Sequence, residues 1–443
     1  MVSGPIALIM LVVAVLLIIY GTAKLQMNAF VVLIGVAFLY GIGIRMPLAD
    51  VIGRVTGGFG GTMGAIGIVI IAGTIIGTIL EKTGAALSIT QAILGLVGEK
   101  RAPLAMSFAG FVVSIPVFCD SGYVILSPLN KALSVQAKKS MTIMAVALGT
   151  GLHATHALVP PTPGPIAAAA ELNADLGMVI LFGLMAALVS MFAGYLFATK
   201  VAGKYELTAE LEESYDTLKA KYGKLPGTFH SLLPLLVPIV LILLNSVAAF
   251  PTRPFGSGGF YEFARFIGAP ATALIIGVLI SLTLVKKELR PEARSTWMSD
   301  GVKHAALILA ITGAGGAFGR VLQGSPMVGY ISDTMGDLRL GYFLPFLIAV
   351  ALKVAQGSGT VAIITTAAIV APLVPILGLN PVLTVLAIGS GGVIVSHAND
   401  SYFWVVTQFA GMPAPMGYKL WTVATGVQGV ASFIFVLILS IFM

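Results

Sequence analysis

Residues 153–165 read HATHALVPPTPGP, with prolines at positions 160, 161, 163 and 165 and a glycine at 164. An apolar run from 141 to 159 leads into this stretch, and another from 175 to 199 follows it. Proline has a fixed φ and no N–H to donate, so no continuous helix passes through. Unwound backbone is tolerated at membrane depth only where protein or a water-filled cavity surrounds it. The stretch therefore predicts a helical membrane protein whose working part is a break in a helix.

Composition agrees. Of 443 residues, 58% are hydrophobic and 10% charged, against about 25% charged in an ordinary soluble domain. Charges this few do not cover a soluble surface, so the class is an all-α polytopic membrane protein. The lone cysteine, Cys119, excludes an intramolecular disulfide framework and a cysteine zinc cage, and no metal is expected. MVSGP precedes the first apolar run without a basic segment, so no cleaved signal peptide is expected. Net charge is +7, but its positive residues lie between apolar runs and read as topology signals, not as a nucleic-acid surface. The 52 glycines suit helices that pack closely or break in lipid.

Runs able to cross about 30 Å of hydrocarbon need about 20 residues. They fall at 4–20, 28–44, 62–80, 141–159, 175–199, 231–250, 266–285, 304–323, 382–410 and 418–442. Two further apolar stretches, 103–133 and 341–376, are interrupted by SIPVFCDSG (114–122) and QGSGT (356–360). Their halves are too short for separate spans, so each reads as a re-entrant hairpin. Segments 85–98 and 326–338 read as interfacial helices. Polar stretches 200–230 and 286–303 are separated by two spans and so share one side. With that side in the cytoplasm, 18 Lys/Arg lie inside and five outside (Arg45, Arg54, Arg253, Arg265, Arg339), with Arg320 and Lys353 at membrane depth. The asymmetry obeys the positive-inside rule and puts both termini outside, in the periplasm.

The halves resemble each other at an offset near 240. IAG at 71–73 resembles ITG at 311–313, CDSGYV at 119–124 resembles GSGTVA at 357–362, and GTGLHATHA at 149–157 resembles GSGGVIVSHA at 389–398. This predicts a first repeat over 1–200 (hairpin 103–133, broken span 141–170), a cytoplasmic loop over 201–230, and a second repeat over 231–443 (hairpin 341–376, broken span 382–410). Each repeat makes five net crossings, an odd number, so the two are inverted. Inverted repeats with interrupted helices at matching positions point to a secondary transporter.

The same breaks hold the candidate chemistry. Among 18 acids, the reading places Asp120 and Asp400 alone in the apolar core, one at a hairpin tip and one at a broken span. Buried charges of this kind line a cavity or pair. They carry a coupling proton or orient substrate-holding groups; otherwise they cap half-helices or pair with Arg320 or Lys353. Half-helix N-termini favour an anion, and Ser121, Thr155, Thr162, Ser358, Thr360, Ser396 and Asn399 offer hydrogen bonds to its hydroxyls. Gly122, Gly359 and His156 complete the candidate substrate contacts. Those small polar residues alternatively satisfy only the freed backbone. Lys353 neutralises a substrate carboxylate or pairs with an aspartate; Arg320 snorkels outward. His153 and His397 are candidate proton relays beside ordinary hydrogen-bonded histidines. His153 and His156 lack companions for a zinc site. GAGGAFG (313–319) lacks the ending of a phosphate loop, and no Walker motif argues for an ATP-driven pump. Ser121 lacks the first glycine of an intramembrane serine-protease motif.

At PVFCDSGYVILSPL (116–129), HALVPPTPGP (156–165) and SHANDSYFW (396–404) the chain resembles the gluconate:proton symporter family. The likeness runs essentially end to end. It implies membership of the ion transporter superfamily, an elevator-type motion of two repeats and a homodimer. It also implies proton-driven carriage of gluconate, a related sugar acid or D-serine across a bacterial inner membrane. The expectation is a carrier, not an enzyme, with a small organic anion and a proton as partners, membrane lipid around it and no cofactor. A D-serine:proton symporter and a sodium-coupled organic-anion carrier are the alternatives within transport. An intramembrane enzyme and a passive channel are the alternatives outside it.

Overall fold

Between Leu158 and Pro163 the chain leaves the helix, as the proline run requires. The computed structural model describes residues 1–209, 223–249, 254–334, 340–397 and 400–443. Among them all regular structure is helical. The first half runs α1 (Gly4–Ile19), α2 (Ala29–Gly43), α3 (Leu48–Lys82), α4 (Ala85–Val97), α5 (Ala102–Val113), α6 (Cys119–Gln136), α7 (Met141–Leu158), α8 (Pro163–Glu171) and α9 (Leu176–Lys200). The second runs α10 (Thr228–Ala248), α11 (Gly259–Ile267), α12 (Pro270–Leu282), α13 (Met298–Gln323), α14 (Pro326–Thr334), α15 (Phe343–Gln356), α16 (Gly359–Val370), α17 (Pro381–Val393), α18 (Ser401–Phe409) and α19 (Val423–Leu439), single-turn pieces apart. Seven helices are long and apolar enough to cross a membrane, or eight if the bent pair α11–α12 is one span. The protein is a multi-pass helical membrane protein.

Four interruptions fall where the residues forbid a helix. Pro116 lies in the gap between α5 and α6, and Pro160 and Pro161 lie between α7 and α8. Gly357 parts α15 from α16 at φ +86°, a left-handed conformation that glycine adopts without a Cβ penalty. After Val393 the chain leaves α17, Ile394 and Val395 being non-helical, and α18 starts at Ser401. Helices α5, α15, α16 and α17 have 12 to 14 residues, about 18–21 Å at 1.5 Å per residue and too short to cross alone.

Two boundaries differ from the sequence reading. The span expected at 62–80 is the 35-residue α3, which starts at Leu48. Its glycine-rich first half stays helical because α13 packs closely along it: a Cβ at Gly58 would stand 2.5 Å from the Gly316 carbonyl oxygen. The span expected at 266–285 is instead bent by 64° between α11 and α12, where Pro270 opens the second helix. Arg253, Arg339, Lys219, Lys221 and the end of the 326–338 segment lie outside the described residues.

Burial separates lining from lipid-facing helices. In an 18-residue apolar window of Met141–Glu171, 89% of the residues are buried inside the protein, whereas in that of Gly4–Thr22 28% are, and the rest turn toward the outside. Two glycines of α3 have a more specific use than close packing in general. Gly77 of α3 lies against the first hairpin's break, where an added Cβ would stand 2.5 Å from the Pro116 carbonyl oxygen. Gly73 lies against Pro161, where an added Cβ would stand 3.3 Å from its carbonyl oxygen. The straight helix α3 thus braces both breaks of the first half.

We expect Gly77→Val to force Pro116 away and cost about 1–3 kcal/mol, the usual range for overpacking. Gly60→Ala, whose Cβ meets nothing within 4 Å, should leave stability unchanged. Thermal unfolding in detergent compares the two; equal midpoints would refute the bracing role.

Candidate functional site

Three of the breaks, with the end of α7 that leads into the fourth, meet at one cavity of about 430 Å³ of empty space, open solvent included. Helix α6 brings Cys119 and Asp120, α16 brings Gly359 and Thr360 behind Ser358, and α18 brings Ser401 and Tyr402 behind Asp400. Three helix N-termini therefore face one space. From α7 come His153, His156 and Ala157, from α15 Lys353, and from α17 Gly392. N-terminal N–H groups and the positive ends of helix dipoles attract an anion.

Charge in the cavity is asymmetric. Lys353 Nζ lies 2.5 Å from Asp400 Oδ2, with the two side chains 1% and 7% exposed. The same ammonium donates to the Gly357 carbonyl oxygen, closing the end of α15. Asp400 is held on all sides: Ser396 Oγ donates to Oδ2 at 2.5 Å, and Oδ1 accepts the Tyr402 N–H at 3.2 Å, capping α18. Ser396 in turn accepts from Trp421 Nε1 at 2.9 Å, its N–H donates to Thr425 Oγ1 at 2.9 Å, and its carbonyl accepts from Thr422 Oγ1 at 2.7 Å. Beside it Val395 sits at φ +54°, a strained conformation for a β-branched residue. Asp120 has weaker company. Ser401 Oγ donates to its Oδ1 at 3.3 Å and Cys119 Sγ to its Oδ2 at 3.8 Å, and no cation is within 4 Å among the described residues.

The remaining candidates fall in definite places. The His153 ring lies between Tyr402, 5.4 Å away, and Trp421, 5.8 Å away. His156 Nε2 is 3.4 Å from Thr360 Oγ1, and the Nδ1 of each histidine has no partner among the described residues. His397 Nε2 donates to the Val354 carbonyl oxygen at 2.9 Å and is outside the cavity lining. Thr155 and Thr162 turn their hydroxyls to the carbonyls of Leu152 and Val159, at 3.4 and 2.5 Å. Ser121 and Gly122 stand behind the lining, Gly122 packed on Leu152. Ser396 reaches the cavity only through Asp400, and Asn399 lies outside the described residues. No metal-binding cluster occurs among the described residues.

Sequence reading passed over four lining or supporting groups. Cys119, Ser401 and Tyr402 adjoin residues it chose, and Trp421 comes from the last span with no local signal. Glu171 ends α8 in an open crevice with Asp50, Arg54, Arg320 and Gln323. There Arg320 is exposed, donates to Gln323 Oε1 at 3.3 Å and pairs with neither Asp120 nor Asp400.

Comparison with known proteins follows this geometry. The family model described as GntP family permease matches residues 6–442. An uncharacterized permease of Haemophilus influenzae is 34% identical over 96% of this chain and 91% of its own length. A gluconate permease of Pseudomonas aeruginosa is 33% identical over 94% of each chain. A D-serine transporter of Escherichia coli is 31% identical over 95% of each. Among solved structures, the YdaH transporter of Alcanivorax borkumensis superposes with a TM-score of 0.65 over 88% of each chain at 14% identity, a likeness of fold.

Removing one member of a buried ion pair strands the other, at about 3–5 kcal/mol. We therefore expect Lys353→Met and Asp400→Leu each to lower the thermal midpoint sharply, and the double variant to recover most of the loss. A double variant as unstable as the two losses added together would show that the pair is not coupled.

Proposed function

This chain belongs to the GntP family of permeases, and on that premise we propose that it imports gluconate or a related sugar acid together with a proton. The observation that carries the reading is the unmatched carboxylate. Lys353 and Asp400 cancel each other, whereas among the described residues Asp120 is bonded by the side chains of Ser401 and Cys119 alone. With Asp120 ionised, the empty cavity holds one net negative charge. With Asp120 protonated and a sugar-acid anion bound, it holds the same. Proton and anion thus enter together without changing the charge that must cross the low-dielectric barrier.

In this reading the substrate carboxylate lies near the N-termini of α6, α16 and α18, beside the ammonium of Lys353. Ser358, Thr360, Ser401 and His156 are placed to bond its hydroxyls. The chain would work in a bacterial inner membrane with both termini in the periplasm, by an elevator-type motion of two inverted repeats, as a homodimer. The family's permeases support carriage rather than chemistry on the solute.

A second reading, D-serine with a proton, draws on the D-serine transporter relative and on the paired charges of the cavity, which complement a zwitterion. Competition by unlabelled gluconate against unlabelled D-serine separates the two. Uptake that follows sodium and ignores pH would replace the proton by sodium.

Asp120→Asn imitates the protonated carboxyl. We expect it to lose accumulation driven by an inward proton gradient in proteoliposomes while substrate counterflow persists. Accumulation equal to that of the parent would remove the proton from Asp120.

A further inference from the structure

Helix α6 carries Asp120 in its first turn and Tyr123, Ser127, Asn130 and Ser134 after it. Spacings of three and four residues put all five on one face. The four beyond Asp120 are buried, none more than 3% exposed. The Tyr123 hydroxyl, the Ser127 hydroxyl and both polar atoms of the Asn130 amide have no hydrogen-bond partner among the described residues. The other buried positions of the helix include Leu126, Leu129 and Leu133, so the unpartnered atoms form a stripe and are not scattered.

Native proteins pair nearly all buried polar groups, with protein or with ordered water. Four partnerless polar atoms in file are a lining for water, each molecule taking two to four such bonds. From Asp120 to Ser134 the file rises about 21 Å at 1.5 Å per residue. It ends where Ser134 Oγ donates to the Lys139 carbonyl oxygen at 2.6 Å, on an exposed turn with Lys138. The distribution of Lys/Arg assigns that end to the cytoplasm.

We propose that this face of α6 is a hydrated path by which the proton leaves Asp120 for the cytoplasm. The carboxylic acid gives its proton to the first water of the file and is left as a carboxylate. The proton passes from water to water past Tyr123, Ser127 and Asn130, which hold the waters in line, and emerges at Lys138–Lys139. The proposal rests on Asp120 as the proton carrier.

Hydration is tested first, apart from transport. Asn130→Cys and Ser127→Cys should react with a small charged methanethiosulfonate added from the cytoplasmic side, above the baseline of the parent with its native Cys119. Leu126→Cys, on the apolar face, should stay at that baseline. Transport is tested with Asn130→Leu, which should slow proton-driven uptake by about a hundredfold, within the range for losing a positioned proton-transfer group, while counterflow continues. If Asn130→Leu also loses counterflow, the labelling result decides. Asn130→Cys and Ser127→Cys as inert as Leu126→Cys in active protein would overturn the path. So would parent-like uptake by Asn130→Leu alongside failure of Asp120→Asn, with Asp120 still the carrier. Accumulation intact in Asp120→Asn would instead overturn the premise.

Discussion

Backbone polar groups in a membrane must be satisfied by the protein, because hydrocarbon offers them nothing. Each helix break exposes several, and much of the site is their repair. Lys353 donates to the Gly357 carbonyl oxygen just past the end of α15, and Ser358 caps α16 by accepting from the Val361 N–H at 3.3 Å. Ser114 donates to the Val117 carbonyl oxygen at 3.1 Å in the first hairpin, and Thr162 to that of Val159 in the first broken helix. Thr422 and Thr425 take both backbone groups of Ser396 in the second. Side chains that look like substrate contacts in sequence are, in several cases, already occupied in this way.

That constraint divides the cavity's residues by role. The ion pair of Lys353 and Asp400 is tied into helix ends and to Trp421 through Ser396, so its geometry is fixed before any solute arrives. Asp120, Thr360 and His156 have long or single contacts and retain capacity for new partners. A rigid pair beside loosely held groups suits a site that must accept and release a small polar solute, since orientation is built in and binding is not overly tight.

Sequence made the class of fold, the four breaks and the two aspartates beside them legible, because proline, glycine and charge act locally and have few uses in lipid. The number of spans was less legible. A glycine-rich segment such as 53–67 looks like a breaker until its partner α13 is known, and Pro270 looks like an interior residue until its bend is seen. Within the site, which aspartate pairs with Lys353 depends on three-dimensional distance, so the alternatives stayed open. The contribution of Trp421 is invisible for the same reason. Nothing within its own segment marks it as the support of a serine 25 residues earlier.

The lateral ties of α19 bear on how the molecule is made. Gln428 donates to the Thr150 carbonyl oxygen at 2.9 Å, and Trp421 and Thr425 hold Ser396. The chain leaves the ribosome from its N-terminus, so the central cavity lacks its back wall until the final helix is synthesised. Until then Lys353 and Asp400 must be sheltered by the insertion machinery or by water. A nascent chain stalled before residue 420 would carry all the ligand-facing groups and still have no site.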